Sequence, residues 1–304
     1  MTDPSGNGHP APSPGLPPVV PPSGRFIAQL FVVPGLIVAG AIIAILGFSW
    51  LSGFGQPGDK KKYVENLTSS NADIRWRTAA DLAQVLRRDE ELALDVDFGL
   101  KLTGLLRQAV TDLERAEKEM AAEITEPKAG GTPGDQRMTE KRAAFLKQRS
   151  FVQYLCNCIG TLRVPVCADA LAFLARQPAV SDPKTNALLQ RQAVWALAAL
   201  GDGRRHFREL SAERQAELLS QLDAETDPAA HVAADSLRGR GSGPAVTALL
   251  ASSGSDDPFL RKLAAHALTF WDGPPAENRR IEDALVRLAH DDGHGTSIEI
   301  GEDD

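Results

Sequence analysis

Residues 257–268 read DPFLRKLAAHAL, and this stretch decides the fold. Asp257 can accept backbone N–H groups at a helix start, and Pro258 suits the first helical position because it has no N–H to leave unpaired. Arg261 follows within the first turns, and we expect its guanidinium to reach carbonyl groups or an Asp of a neighbouring turn. The remaining apolar residues form one helical stripe with small side chains that allow close helix packing: Leu260, Leu263, Ala264, Ala267 and Leu268.

The same pattern recurs along the chain. Further copies occupy residues 71–82, 189–202 and 227–237, and a degenerate copy covers 151–162. We expect the helix at 189–202 to end at Gly201, because Gly is favoured just after a helix C-terminus. A repeated helical unit predicts a stack of helical hairpins, and such stacks mostly bind other molecules. The alternative is an ordinary Ala-rich, all-helical domain.

These copies resemble HEAT repeats, in particular the short bacterial type also known as PBS-lyase-like HEAT repeats. The resemblance covers most of residues 60–290, although only the second helix of each pair carries it. It implies an all-α fold, an α-solenoid of HEAT-like helical hairpins, and an adaptor role in binding a protein partner. Some relatives with these repeats are lyases that attach a tetrapyrrole to phycobiliprotein cysteines. The resemblance therefore leaves open a lyase-like enzyme or a tetrapyrrole-binding protein.

The composition of the 304-residue chain also favours an all-α protein. Aromatic residues make up 6%, and alternating β-branched runs are nearly absent after the first fifty residues. The net charge is −7, and the last fourteen residues hold six acidic residues without Lys or Arg. The rest of the helical part is close to neutral, so we predict no nucleic-acid partner. Residues 291–304 are predicted to form a disordered acidic tail.

The sequence lacks the motifs that usually carry catalysis or bind cofactors. There is no phosphate-binding loop, nucleophile elbow, zinc-protease helix or EF-hand loop, so we predict no catalytic, cofactor-binding or metal-binding residue. Cys156, Cys158 and Cys167 lack the spacing of a zinc site and are interpreted as small buried residues. His231 and His266 lie on repeat helices, where packing or surface positions are expected. A lyase would instead need these histidines, Cys156 and acidic residues in one pocket.

Residues 26–51 form a long apolar segment. No charged residue lies between Arg25 and Asp59. As a helix this segment would extend roughly 39 Å, which exceeds the ~30 Å hydrocarbon core of a bilayer. We predict a single transmembrane helix, with a disordered Pro/Gly/Ser-rich tail at 1–25 before it and a basic juxtamembrane linker at 52–62 after it.

The cations beside this segment predict its orientation. Lys60–Lys62 follow the segment, whereas Arg25 is the one charged side chain close before it. The positive-inside rule therefore places the repeat domain in the cytoplasm and the N-terminus outside, with the protein in the cell inner membrane. Gly40 and Ala44 show a small-residue spacing through which the helix could self-associate.

The predicted repeat domain covers residues 63–290. It includes a long helical hairpin at about 96–162, whose second helix we expect to begin at Thr139 after a flexible loop at 124–139. The densest basic cluster of the domain is interpreted as a solvated turn between helices, and contact with anionic lipid or an acidic partner is the alternative: Arg204, Arg205, His206 and Arg208.

Together these features predict a membrane-anchored HEAT-repeat scaffold or adaptor. It would mediate protein–protein interaction at the cytoplasmic membrane face, as an accessory to a membrane complex such as a transporter. The alternatives are the lyase-like or tetrapyrrole-binding protein and a passive spacer.

Overall fold

A computed structural model describes residues 60–125, 133–177 and 179–294, together with Val38. The chain divides into two compact units, Met1–Gln56 and Pro57–Asp304, and the second is described below. Apart from Val38, the predicted transmembrane segment lies outside the described residues, as does the N-terminal tail. Among the helices that are described, none is long and apolar enough to cross a membrane.

The all-α prediction is confirmed for the described part of the chain, which contains helices and turns but no strand. A short 3-10 helix at Pro165–Cys167 supplements the α-helices. The α-helices are α1 Lys60–Leu67, α2 Ala72–Leu86, α3 Glu90–Ala93, α4 Val96–Thr125, α5 Pro133–Gly160, α6 Ala168–Arg176, α7 Pro183–Glu209, α8 Ala212–Ala224, α9 Pro228–Leu237, α10 Pro244–Ser252, α11 Pro258–Leu268 and α12 Pro275–Ala289.

Most of the helices lie in two rows. Consecutive helices pair between the rows, as α1 with α2, α4 with α5, α6 with α7 and α10 with α11. We call α2, α5, α7 and α11 the second row, because each packs against the next in that order. The first row consists of α1, α4, α6, α10 and α12. Helices α8 and α9 pack on each other and against α4, and α9 also packs against the 3-10 helix.

The sequence copies map onto this arrangement. Those at 71–82, 151–162, 189–202 and 257–268 belong to the four helices of the second row, whereas the copy at 227–237 forms α9 outside it. Small buried residues line the contact between the rows and within the second row, among them Ala79, Ala193, Ala196 and Ala264. Their size lets neighbouring helices approach closely.

The predicted helix end at Gly201 is wrong. Helix α7 continues through Gly201 and Gly203 to Glu209. A Cβ atom on Gly201 would lie 2.6 Å from Nε1 of Trp271, and one on Gly203 would lie 2.6 Å from the carbonyl oxygen of Leu162. These glycines therefore permit close packing inside a helix, whereas the sequence signal alone was interpreted as a helix terminator.

The predicted loop at 124–139 is also too long. Helix α5 begins at Pro133, before the expected Thr139. Proline is tolerated in the first turn of a helix because the N–H groups there have no partner within the helix. Residues 126–132 lie outside the described residues.

Candidate functional sites

The repeated arginines join neighbouring helices of the domain. Arg261 binds both carboxylate oxygens of Asp291, at 2.7 Å from Nε and 2.9 Å from Nη2, and it also donates to the carbonyl oxygen of Ser255. Arg191 on α7 donates from Nε to Asp257 Oδ2 at 2.9 Å. The expected contacts of Arg261 with an Asp and with carbonyls are thus confirmed, and Arg191 makes the corresponding contact with an Asp from the preceding helix of the second row.

Both ion pairs are largely shielded from solvent. Asp257 is mostly buried, and its other oxygen accepts the backbone N–H of Phe259 at 3.0 Å, which caps α11. Asp291 has a pKa lowered to about 2, first because Arg261 donates to its carboxylate and then because the backbone N–H of Gly293 does so. The carboxylates of Asp257 and Asp291 therefore hold neighbouring helices together.

The second row exposes large apolar side chains to solvent. Trp195 on α7 is 37% exposed and Phe259 on α11 is 50% exposed, and Ile74 on α2 is exposed as well. The guanidinium carbon of Arg191 lies 4.9 Å from the ring centroid of Phe259. Arg191 and Trp195 are one helical turn apart, so they share a face of α7. A tryptophan, an arginine and a phenylalanine thus form one surface, which we call the Trp195 surface.

Side-chain contacts join the helices of the second row to one another. The rings of Trp76 on α2 and Tyr154 on α5 stack with centroids 5.8 Å apart. The side chains of Gln192 on α7 and Asn157 on α5 are hydrogen-bonded. The Trp195 surface therefore lies on packed helices, which present it with little rearrangement.

An acidic cleft lies between α8 and the segment around α3. It has a volume of about 610 Å³ and an apolar floor that includes Leu92, Leu94 and Leu218. Five carboxylates and two cations line it: Asp89, Glu91, Asp95, Asp97 and Glu225, with Lys60 and Arg214. Lys60 pairs with Asp95, and that hydrogen bond raises the pKa of Lys60. The excess of carboxylates favours cationic ligands in this cleft.

The three cysteines are buried, as predicted, and none is in a disulfide. Burial raises the pKa of Cys156 and of Cys167 to about 12, and it also raises that of Cys158. The thiol of Cys158 donates to the carbonyl oxygen of Ala79 at 2.6 Å. A thiol that stays protonated is a poor nucleophile and metal ligand, so these cysteines act as core residues.

The residues that a lyase would need do not meet in the acidic cleft or in a smaller cavity near Arg204. His231 is exposed on α9, and the ring of His266 packs edge-on against Phe270 at 4.9 Å. Neither histidine lines the acidic cleft or the smaller cavity near Arg204, and Cys156 lines neither of them. Among the described residues there is no group of His, Cys, Asp and Glu that could hold a metal ion.

The basic cluster at 204–208 is not a turn. It belongs to the last turns of α7, and Arg204 is 2% exposed. This prediction failed for the same reason as the helix end at Gly201, since the helix continues where the sequence suggested that it stops.

Comparisons of the chain with protein-family models, with curated proteins and with solved structures found no match.

Sequence reasoning did not single out Trp195 and Phe259. A signal was present, because Phe259 lies outside the apolar stripe of its own helix and Trp195 lies one turn after an arginine. Large apolar residues off the buried stripe of an amphipathic helix are candidates for an exposed binding surface.

Proposed function

We propose that this chain is a membrane-anchored, HEAT-like solenoid scaffold that binds a protein partner through the Trp195 surface. The exposure of Trp195 and Phe259 beside Arg191 is the observation that carries this proposal. Tryptophan and arginine are enriched among the residues that dominate protein–protein binding energies, and aromatic residues and arginine are enriched in interfaces as a whole.

The solenoid part of the proposal is supported by the order of the second row. Four copies of one sequence pattern lie in α2, α5, α7 and α11, which pack in succession, and each of these helices has a partner in the first row. Arg191 and Arg261 each bind an Asp that belongs to the following structural unit. Repeated nearest-neighbour contacts of this kind are typical of helical-repeat proteins.

The membrane part of the proposal comes from the sequence. The apolar segment 26–51 would anchor the protein in the inner membrane, with the repeat domain on the cytoplasmic face and self-association through Gly40 and Ala44. An anchor raises the effective concentration of the scaffold near a membrane-bound partner without any additional contact. A membrane complex such as a transporter is therefore a suitable partner.

Affinity capture of the full-length protein in mild detergent tests the binding surface. We expect the native protein to retain a defined partner, and we expect Trp195→Glu and Phe259→Glu each to abolish its capture. Phe173→Glu is the matched control, because Phe173 is 47% exposed but lies on α6 in the first row. Each variant is first checked for a native unfolding transition.

Two results would contradict the proposal. Equal loss of the partner in all three variants would mean that charge on any exposed face disturbs the protein. Recovery of no partner by the native protein would favour the passive spacer instead. A bound tetrapyrrole in the purified protein would support the lyase-like alternative.

A further inference from the structure

A second cavity lies where the end of α7 meets the segment after α11. It has a volume of about 110 Å³ and is separate from the Trp195 surface. Three arginines, one carboxylate and two aromatic rings line it together with one threonine: Arg204, Arg205, Arg208, Asp272, Phe270, Trp271 and Thr269. Its size corresponds to about four water molecules at the density of the liquid. A single small anionic group therefore fits within it.

Arg204 is the unusual member of this set. Its side chain is 2% exposed, and its Nη2 donates to the backbone carbonyl of Asp272 at 2.9 Å and to the Asp272 carboxylate. Its Nε and Nη1 are buried and have no acceptor among the described residues. Burial lowers the pKa of Arg204, although the charge of Asp272 opposes this effect. Because these two nitrogens are shielded from solvent, Arg204 contributes its positive charge to the cavity, and the donors that a ligand can reach are those of Arg205 and Arg208.

The other two arginines stand at the same cavity in fixed positions. Arg205 donates to the carbonyl oxygen of Thr269 at 2.6 Å, with its guanidinium carbon 4.8 Å from the centre of the Phe270 ring. Arg208 donates from Nη2 to both oxygens of Asp272 at 2.7 Å. These contacts hold the two guanidinium groups while using a minority of their N–H donors.

The charges around the cavity are unbalanced. Three guanidinium groups and one carboxylate line it, which leaves an excess of positive charge. Glu277 also acts on Arg204, but its Oε2 accepts hydrogen bonds from the backbone and hydroxyl of Ser242 at 3.0 and 3.1 Å. Asp272 already has both oxygens engaged by Arg204 and Arg208, so it does not satisfy the remaining donors.

We propose that this cavity binds a phosphate group, which accepts hydrogen bonds from Arg205 and Arg208 and is also attracted by the charge of Arg204. The planar fork of donors on each guanidinium matches the oxygens of a tetrahedral oxyanion, and partial exclusion of water strengthens the attraction. The volume admits the phosphate itself, while any larger moiety attached to it remains outside. Free phosphate and the headgroup of an anionic phospholipid share this chemistry.

Thermal unfolding of the full-length protein in neutral-lipid nanodiscs tests the site, with inorganic phosphate replacing chloride at constant ionic strength. We expect a saturable rise in the unfolding temperature of the native protein. Arg205→Gln and Arg208→Gln should weaken phosphate binding about tenfold or more, since each removes charge-assisted hydrogen bonds. These two residues are chosen because both are exposed, whereas replacement of Arg204 would disturb the core.

Arg214→Gln is the control, because Arg214 is a partly exposed arginine that pairs with Glu217 on α8 and lines the acidic cleft. Its phosphate response should equal that of the native protein. No saturable rise in the native protein, or an equal response in all three variants, would overturn the proposal.

A second titration in nanodiscs that contain phosphatidic acid identifies whether the phosphate group comes from a lipid headgroup or from free phosphate. If the lipid removes the effect of added phosphate, the site takes headgroups; if the effect persists, it takes soluble phosphate.

Discussion

The glycines of α7 show how a single atom sets the packing of this domain. Gly203 lies against the backbone of Leu162, and Gly201 lies against Trp271, whose Nε1 donates to the carbonyl oxygen of Leu197. A methyl group at either position would have to displace these neighbours. The local sequence does not reveal this constraint, because a glycine in a helical pattern is equally compatible with a helix end.

Replacement of Gly203 by Ala is expected to destabilise the protein by about 1–3 kcal/mol, because the new Cβ would overlap a backbone oxygen that has little freedom to move. Gly104 in α4 is the matched control, since a Cβ there would have no atom within 4 Å. Gly104→Ala should stabilise the protein by about 1 kcal/mol through the higher helix propensity of alanine. Urea unfolding measures both changes, and destabilisation by both substitutions would contradict the packing argument.

At the scale of helices, the Asp-Pro sequences fix where several elements begin. Asp182, Asp227 and Asp257 each cap a helix with the carboxylate, and each precedes a proline in the first turn. These helix starts were predictable because the capping Asp and the proline are adjacent in the sequence, so the signal is local. The start of α5 at Pro133 was not predictable, because no such cap residue precedes this proline. The continuation of α7 to Glu209 was not predictable either, because it depends on packing against residues that are distant in the sequence.

Asp257 both caps a helix and forms an ion pair with Arg191, whereas Asp227 only caps a helix. A pair of substitutions therefore separates the contribution of the ion pair from that of the cap. Asp257→Asn keeps the helix cap but removes the charge opposite Arg191, whose side chain is 15% exposed. We expect a loss of about 2–3 kcal/mol in the free energy of unfolding. Asp227→Asn also keeps its cap on Ala229 and should change stability by less than about 0.5 kcal/mol. If urea unfolding gave the same change in stability for both substitutions, the ion pair between Asp257 and Arg191 would not contribute to stability.

The pair of Arg261 and Asp291 predicts a pH dependence at the end of the domain. Because the pKa of Asp291 in the folded protein is about 2, below its ordinary value of 3.8, its ionisation favours the folded state above pH 3.8. This contribution is lost as the pH falls towards 2. In an NMR titration, Arg261→Gln should return the pKa of the Asp291 carboxyl towards 3.8. An unchanged low pKa in this variant would mean that Arg261 is not the cause.

For the whole molecule, the sequence predicted the helical class and the helices of the second row. Their apolar stripes and alanines are local patterns, so they could be found without the structure. The acidic cleft and the cavity at Arg204 could not be predicted from the sequence, because each is lined by residues from segments that are far apart in the chain. The position of α8 and α9 beside α4 also follows from long-range packing, and the copy at 227–237 gave no sign of it.

Removal of residues 26–51 tests the proposed anchor. The full-length protein should sediment with membranes and require detergent for release, while the deletion variant should remain in the soluble fraction because it lacks the apolar segment. A C-terminal phosphatase fusion, which is active only outside the cytoplasm, should be inactive in the full-length protein. Release of the full-length protein by salt alone would contradict the anchor, and an active fusion would reverse the orientation.

The carboxylate of Asp257 links two events in folding. One oxygen caps α11 and the other binds Arg191 of α7, so the start of one helix and its docking on another are completed by the same group. When α11 separates from α7, its 11 residues lose the packing that a helix of this length needs to remain stable, although the cap itself is local. We therefore expect the amide protons at the start of α11 to exchange with solvent at the same rate as those of the α7–α11 interface. The two helices would open as one cooperative unit, even though more than sixty residues separate Arg191 from Asp257.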